Sequence, residues 1–139
     1  MGIVNLFRRA LERYGAARTT DYRRIRWGID AEPDWVDGDK VTAPPAGTVL
    51  VSKLVPTGKT GYIFGFFLSV GEANDFDLNY TSGGVAKSLR IIFGGKGTLH
   101  FTDVKEMCKS DGGSTVSITN VNAGSTGIIY QARLLYAEV

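Results

Sequence analysis

Apolar and polar residues alternate along the stretch 127–139, which reads GIIYQARLLYAEV. Successive side chains of a strand point to opposite faces, so this stretch predicts a long strand with two different faces. One face is wholly apolar or aromatic: Ile128, Tyr130, Ala132, Leu134 and Tyr136. The other is mixed: Ile129, Gln131, Arg133, Leu135 and Ala137. We expect the first set to face a core and the second to meet a partner, another sheet edge or water.

Upstream of this strand, short apolar runs alternate with glycine-rich turns from residue 48 onward. The runs cover residues 48–55, 61–70, 76–80, 86–93, 98–102, 104–108 and 115–121. The glycine-rich segment 94–97 predicts a hairpin between the fourth and fifth of them. Together with the C-terminal strand this makes eight strands with regularly spaced turns. The pattern predicts an all-β fold, an eight-stranded antiparallel sandwich that is jelly-roll-like.

The N-terminal residues follow a different, helical period. Residues 2–14 carry apolar side chains three or four apart, with charged residues on much of the opposite face, and Gly15 lies where a helix would end. This predicts an amphipathic helix, which is too short to be stable alone in water. It must therefore dock on its own domain, on a neighbouring subunit or on a membrane surface.

Residues 16–47 are predicted to be mostly irregular, with a short strand over 22–27. An acidic patch follows, made of Asp30, Glu32, Asp34, Asp37 and Asp39. Its spacing does not match an EF-hand calcium loop, so a solvated loop or an ion-pairing partner for basic residues is favoured. The segment 43–47, APPAG, is typical of a stiff linker. We therefore divide the chain into a helix and extended arm over 1–45 and a sandwich domain over 46–139.

Charge is distributed unevenly between these two parts. Residues 1–26 hold seven arginines and two acids, whereas the rest of the chain has a small excess of acids over bases. Such an arm attracts anionic partners. The arginines lack the interleaved aromatic residues of a single-strand nucleic-acid binder, so nucleic acid is disfavoured. Pairing with an acidic neighbour explains them as well, and the acidic patch over 30–39 supplies one. A membrane surface is an alternative for the helix.

The sequence holds no convincing catalytic, cofactor or metal motif. Cys108 is the only cysteine and His100 the only histidine, so a disulfide within the chain is excluded and a metal site or catalytic triad lacks companions. A structural histidine and a buried thiol are the favoured interpretations. The Gly58-Lys59-Thr60 segment lacks the first glycine and the helix of a phosphate-binding loop. Asp75 and Asp77 could share one face, but such acids are usually solvated. We expect no enzyme, no cofactor and no metal.

Several aromatic residues could instead form a platform for sugar stacking. The candidates are Trp27, Trp35, Tyr62, Tyr80, Tyr130 and Tyr136. Aromatic residues in strands usually belong to the core, so Trp27 and Trp35, which lie outside the predicted strands of the sandwich, are the better candidates for an exposed or interfacial role. Docking of the arm is favoured over sugar binding for both tryptophans.

The body of the chain resembles the small, jelly-roll-like β-sandwich proteins that tailed phages and archaeal viruses carry on their capsids as decoration or vertex proteins. The resemblance rests on the turn Val55-Pro56-Thr57-Gly58-Lys59, the aromatic-rich strand over 62–67, the glycine segment 93–97 and the closing strand over 130–136. It implies a trimer that clamps a shell, with a terminal arm that reaches across neighbouring subunits. It implies no catalytic residues.

We therefore expect a non-enzymatic structural protein of a virus particle, a capsid decoration or minor capsid protein. It would self-associate through its sandwich, preferably as a trimer, and bind a major capsid or other shell protein through its arm. Its location would be the virion, assembled in the host cytoplasm. The alternative is a glycan- or receptor-binding module that uses loops at one end of the sandwich. The predicted arm interface comprises Ile3, Leu6, Phe7, Leu11, Tyr14, Arg8, Arg9, Arg13, Arg23, Arg24, Arg26, Trp27 and Trp35.

Overall fold

The computed structural model describes residues 23–139 of the chain. The chain divides into two compact units, Met1–Glu32 and Pro33–Val139. The described part of the second unit is built from ten strands. They are β1 (Asp34–Asp37), β2 (Val41–Thr42), β3 (Val49–Leu54), β4 (Gly61–Val70), β5 (Asn74–Ser82), β6 (Val85–Phe93), β7 (Gly97–Thr102), β8 (Cys108–Ser110), β9 (Thr115–Asn120) and β10 (Ile129–Glu138).

These strands form two antiparallel sheets, as expected for an all-β sandwich. Sheet A has the order β1–β10–β4–β7, with β2 also paired to β10 and β8 also paired to β4. Sheet B has the order β3–β9–β5–β6. The chain changes sheet at most of its connections, so strands that are adjacent in sequence usually lie in opposite layers. The eight strands expected from residue 48 onward are present as β3 to β10.

The core lies between the sheets, and β10 crosses its middle. Tyr130, Ala132 and Leu134 are completely buried, and they pair in register with Val70, Leu68 and Phe66 of β4. The apolar side of the C-terminal strand is therefore confirmed as a core face. Sheet B supplies the opposing layer, in which Phe76, Leu78, Val116 and Ile118 are also completely buried.

Two strands, β1 and β2, lie in the stretch that was predicted to be irregular. Val36 and Val41 pack against the core, because they pair in register with Leu134 and Tyr130 of β10. The compact unit accordingly begins at Pro33, whereas the sequence-based boundary lies after residue 45. The segment 43–47 is a connection from sheet A to sheet B within this unit rather than a linker that precedes it.

The predicted hairpin across residues 94–97 is wrong. β6 pairs with β5 in sheet B, while β7 pairs with β4 in sheet A. A glycine-rich connection can turn back or cross between layers with equal ease. The crossing lets β7 pair with β4, the most apolar strand of the chain. The hairpin that does form joins β5 to β6, through Gly83 and Gly84 at φ 61° and 73°.

A strand predicted over residues 104–108 is displaced to β8, at Cys108–Ser110. The Asp103 carboxylate accepts hydrogen bonds from the backbone N–H groups of Val104 at 2.7 Å and Lys105 at 3.4 Å. This local turn occupies backbone groups that a strand would need.

The described part of the first unit corrects a further prediction, because residues 23–27 are helical rather than extended. The N–H of Gly28 donates to the carbonyl of Arg24 at 2.9 Å, and Gly28 has φ 72°, which is the usual geometry of a helix end. Arginine is a good helix former, and three of the six residues over 22–27 are arginines. The alternation of large side chains in this short stretch was therefore too weak an indication of a strand. The helix predicted over 2–14 lies outside the described residues.

One side of the sandwich, formed by β1, β2 and β3, is closed by the chain itself. Gly38 lies so near the backbone of β3 that an added Cβ would stand 2.1 Å from the carbonyl oxygen of Leu50. The buried amide of Asn120 donates to the carbonyls of Pro45 and Asn122, both at 2.9 Å, and thereby holds the crossing segment 43–47. We call this the closed side.

Candidate interaction surface

The opposite side of the sandwich is bounded by β6 in sheet B and β7 in sheet A. Among the described residues, β6 pairs only with β5 and β7 only with β4, so each strand has one edge without a ladder partner. The free edge of β6 is nine residues long. Unpaired backbone groups on such an edge are a template for pairing with another chain. We call this the open side.

Apolar side chains of the open side point between the two sheets and still reach solvent. Leu89 pairs in register with the completely buried Leu78, so both share the inner face of sheet B. Leu99 and Phe101 are likewise opposite Leu68 and Phe66 on the inner face of sheet A. These three residues are nevertheless 38%, 40% and 40% exposed. The two layers therefore leave part of their interior uncovered at this side.

Further apolar surface surrounds this opening. Val85 at the start of β6 is 58% exposed, Val104 just after β7 is 49% exposed, and Ile92 on the outer face of β6 is 73% exposed. Several large apolar side chains are thus exposed on β6 and β7 and next to them, and such an accumulation is typical of an interaction site. Covering Leu89, Leu99 and Phe101 would stabilise an assembly by roughly 3 kcal/mol per subunit.

The two acids that could have formed a hydrolytic pair lie next to the open side and are ion-paired. Asp75 and Asp77 do share one face of β5, as the sequence indicated. The guanidinium of Arg90 on β6 lies 2.6 Å from Asp77 and 3.7 Å from Asp75, and the hydrogen bond to Asp77 raises the pKa of Arg90. The ion pair therefore neutralises charge on the outer face of sheet B next to the open side.

The residues predicted for the arm interface fall into three groups in the structure. Arg23, Arg24, Arg26 and Trp27 lie in the helical turn of the first unit, where Arg26 stacks on Trp27 at 4.9 Å from the ring centroid. Trp35 lies on β1, within the sandwich rather than in an arm. The remaining members lie outside the described residues: Ile3, Leu6, Phe7, Arg8, Arg9, Leu11, Arg13 and Tyr14.

The structure also places three other residues that the sequence analysis considered as catalytic or binding candidates, namely Cys108, Lys59 and His100. Cys108 is buried, which raises the pKa of its thiol to about 12 and makes it a poor nucleophile. Lys59 lies 3.8 Å from Glu138, beside a turn in which Gly58 has φ 84°. His100 is not a core histidine, because it is exposed on the outer face of β7.

The aromatic candidates for a sugar-stacking platform lie in different surroundings. Tyr130 and Tyr136 belong to the core, and Tyr80 packs against it. Tyr62 is half-buried, with the Lys109 ammonium 5.6 Å from its ring centroid. Trp35 is half-buried on the outer face of sheet A. Among the aromatic candidates that lie in the sandwich, Trp35 is therefore the best placed to contact a ligand.

A buried polar network ties the connection from β4 to β5 to the connection from β9 to β10. The hydroxyl of Tyr130 donates to Glu72 at 2.8 Å and accepts from the amide of Asn74 at 2.7 Å. The same amide donates to the carbonyl of Asn122, which also accepts from Asn120. Hydrogen bonds from Ser125, and then from Tyr130, lower the pKa of Glu72, while burial raises the pKa of Tyr130. The network explains why a tyrosine can lie completely inside the core.

No protein-family model, curated protein or solved structure matches this chain at a significant level. Within residues 23–139 no group of three or more histidine, cysteine or acidic side chains is placed to hold a metal ion. No helix in the same range has the length and apolarity needed to cross a bilayer.

Sequence analysis did not single out Leu89, Leu99 and Phe101 as candidate interaction residues, although a signal was present for β6. The run Leu89-Arg90-Ile91-Ile92-Phe93 carries apolar residues on both faces of β6. A solvated edge strand is usually apolar on one face only. Apolar residues on both faces of an edge strand indicate that another surface covers it.

Proposed function

We propose that this chain is a non-enzymatic structural protein of a virus particle, a capsid decoration or minor capsid protein. It self-associates through the open side of its sandwich, as a trimer, and its N-terminal arm anchors it on a major capsid or other shell protein. Its location in this proposal is the virion, assembled in the host cytoplasm. The observation that carries the proposal is the open side, where three inner-face side chains are about 40% exposed next to an unpaired edge strand.

The strand order supports a finer classification of the sandwich as a jelly roll. In each sheet the order interleaves early and late strands: β1, β10, β4 and β7 in one layer, and β3, β9, β5 and β6 in the other. That interleaving is the result of folding one long hairpin over itself, and jelly rolls are frequent in capsid and lectin domains. Fold alone does not define function, so this supports the proposal without carrying it.

Three-fold association suits the geometry of the open side. The edges of β6 and β7 belong to different sheets of one subunit, so a neighbour can meet β6 with one surface and β7 with another. Around a three-fold axis the apolar residues Leu89, Leu99 and Phe101 of each copy would cover those of the next. The ion pair of Arg90 with Asp77 removes a charge that would otherwise oppose this contact.

Light scattering on the purified chain tests self-association directly. We expect a discrete oligomer, and we expect Leu89→Glu to dissociate it because a carboxylate would replace an apolar contact. Ser88→Glu is the matched control, since Ser88 is the exposed neighbour on the outer face of the same strand. A wild-type chain that stays monomeric at high concentration, or equal dissociation by both variants, would contradict the proposal.

The anchoring role of the arm requires a separate test. Deleting residues 1–15 should abolish attachment to the particle while the circular dichroism of the sandwich is retained. Full incorporation of the deletion variant would show that the anchor lies elsewhere.

A further inference from the structure

The outer face of sheet A carries a row of charged and aromatic side chains that take no part in the proposed self-association through the open side. In register across four strands lie Asp37 of β1, Arg133 of β10, Phe67 of β4 and His100 of β7. Residues directly opposite in antiparallel strands share a face, and Arg133 lies between the core residues Ala132 and Leu134. All four side chains therefore point away from the core.

Trp35 reaches across this face rather than standing on its own strand. β1 and β7 are separated by β10 and β4, a distance of about 14 Å at the usual spacing of strands. The indole centroid is nevertheless only 5.3 Å from the imidazole of His100, and the Arg133 guanidinium lies 4.8 Å from the indole centroid. The indole therefore extends along the sheet surface, and it remains only half-buried there.

Next to this row lies an open groove of about 790 Å³. Its floor is formed by Phe67, Gln131 and Arg133, and its wall by the connection from β1 to β2 at residues 37–40. The amide of Gln131 donates to the carbonyl of Gly38 at 3.3 Å, which holds the wall against the floor. The volume is in the range of sites that bind small organic ligands.

Charge in the groove selects the class of ligand. Asp37 and Asp39 contribute two carboxylates, while Lys40 and Arg133 contribute two cations, and Arg133 is paired with Asp37. A balanced groove does not concentrate a polyanion such as a nucleic acid. It does offer acceptors and donors to hydroxyl groups, and the half-buried phenyl ring of Phe67 in its floor offers a surface on which an apolar ring face can stack. The Trp35 indole does not line the groove itself but lies beside it, against the Arg133 guanidinium.

We propose that this surface binds a neutral oligosaccharide. The apolar face of one sugar ring packs on Trp35 and Phe67, and its hydroxyl groups hydrogen-bond to Asp39, Gln131 and Lys40. The sequence placed the alternative glycan-binding function at loops at one end of the sandwich, whereas the geometry points to the sheet face. This site is on the outer side of sheet A, so it does not depend on assembly through the inner-face residues of the open side.

The two tryptophans give the test a built-in comparison. The full-length chain labelled with nitrogen-15 has two indole N–H signals, one from Trp27 and one from Trp35, and Trp27→Phe assigns them. Neutral hexose oligosaccharides are titrated against a uronic-acid oligosaccharide and a single-stranded oligonucleotide. We expect a neutral oligosaccharide to shift the Trp35 signal saturably and to leave the Trp27 signal in place.

Substitutions then separate binding from stability. Asp39→Asn changes one exposed acceptor of the groove and should weaken binding about tenfold. Asp30→Asn, in the same acidic patch but outside the groove, should leave the affinity unchanged. Trp35→Ala should abolish binding, with circular dichroism to verify that the sheet is intact. If Trp35→Ala does not fold, Asp39→Asn decides the question alone.

Three results would overturn the proposal. One is the absence of any shift at up to about 10 mM of every neutral oligosaccharide tested. Another is binding of the oligonucleotide or uronic acid in preference to neutral sugars. The third is magnetisation transfer between the Trp35 indole and residues 1–22 of the same chain, which would show that the groove is occupied by its own arm.

Discussion

The closed and open sides of the sandwich differ in how completely the chain covers the apolar interior between the two sheets. At the closed side the chain crosses between the sheets within residues 38–48, and a glycine and a buried asparagine hold it there. At the open side the connection between β6 and β7 also crosses between the sheets, but Leu89, Leu99 and Phe101 stay partly exposed behind it. A connection between layers thus does not by itself seal a sandwich; the crossing segment must also be packed against both sheets.

The largest expected effect is on the closed side. Gly38→Ala should lower the free energy of unfolding by at least about 3 kcal/mol, because the new Cβ meets the backbone carbonyl of Leu50, which cannot move away as a side chain could. Urea unfolding measures this. Gly94→Ala in the crossing from β6 to β7 is the control, since no atom lies within 4 Å of its added Cβ. Equal costs at the two glycines would remove the distinction between the sides.

A register-matched pair of leucines provides the second comparison. At concentrations where the chain is monomeric, Leu78→Ala should cost about 3 kcal/mol and Leu89→Ala about 1 kcal/mol, since only Leu78 is completely buried. At high concentration the cost of Leu89→Ala should rise, because the proposed assembly would bury the side chain. A cost that is independent of concentration would argue against the open side as an interface.

Removal of the asparagine that holds the closed side should have a smaller effect. Asn120→Ala leaves the carbonyls of Pro45 and Asn122 without their buried donor and should cost about 2 kcal/mol. The control is Asn79→Ala, whose half-buried amide donates to Thr119 at 3.1 Å on the outer face of sheet B. A similar loss at Asn79 would mean that the crossing segment has no special dependence on Asn120.

The smallest effect concerns pH. The pKa of Glu72 is lowered in the folded chain, chiefly by hydrogen bonds from Ser125, so its contribution to stability is present above its ordinary pKa. That contribution is lost as the pH falls below 4.5 and through the lowered pKa. Acid unfolding of Glu72→Gln should therefore depend less on pH in this range than that of the wild-type chain. An unchanged acid profile would assign the acid sensitivity to other carboxyl groups.

Hydrophobic alternation predicted the strands whose faces differ most. β10 and β9 alternate between buried and less buried residues, and the apolar run of β4 has the length of a central strand, so all three were located from the sequence. β1 and β2 were missed because they have four and two residues, and β1 reads Asp-Trp-Val-Asp. Strands this short gain their stability from pairing with β10, a long-range contact that no local pattern contains.

The candidate surfaces were less accessible to sequence analysis for the same reason. Cys108 was predicted to be a buried thiol, and it is buried because β8 pairs with β4. His100 was assigned a structural role, although only the pairing of β7 with β4 instead of β6 determines its face. Trp35 and His100 are 65 positions apart in the chain, and their proximity follows from the order of four strands. The burial of single residues was thus partly predictable from the sequence, whereas the proximity of residues that are distant in the chain was not.

The place of β10 in sheet A has a consequence for synthesis. This strand lies between β4 on one edge and β1 and β2 on the other, so among the described residues β1 and β2 have no ladder partner until β10 has been synthesised. A nascent chain that reaches Asn120 can already pair β3, β9, β5 and β6 with one another. Sheet B can therefore form during translation, while sheet A is completed only after β10 has cleared the exit tunnel.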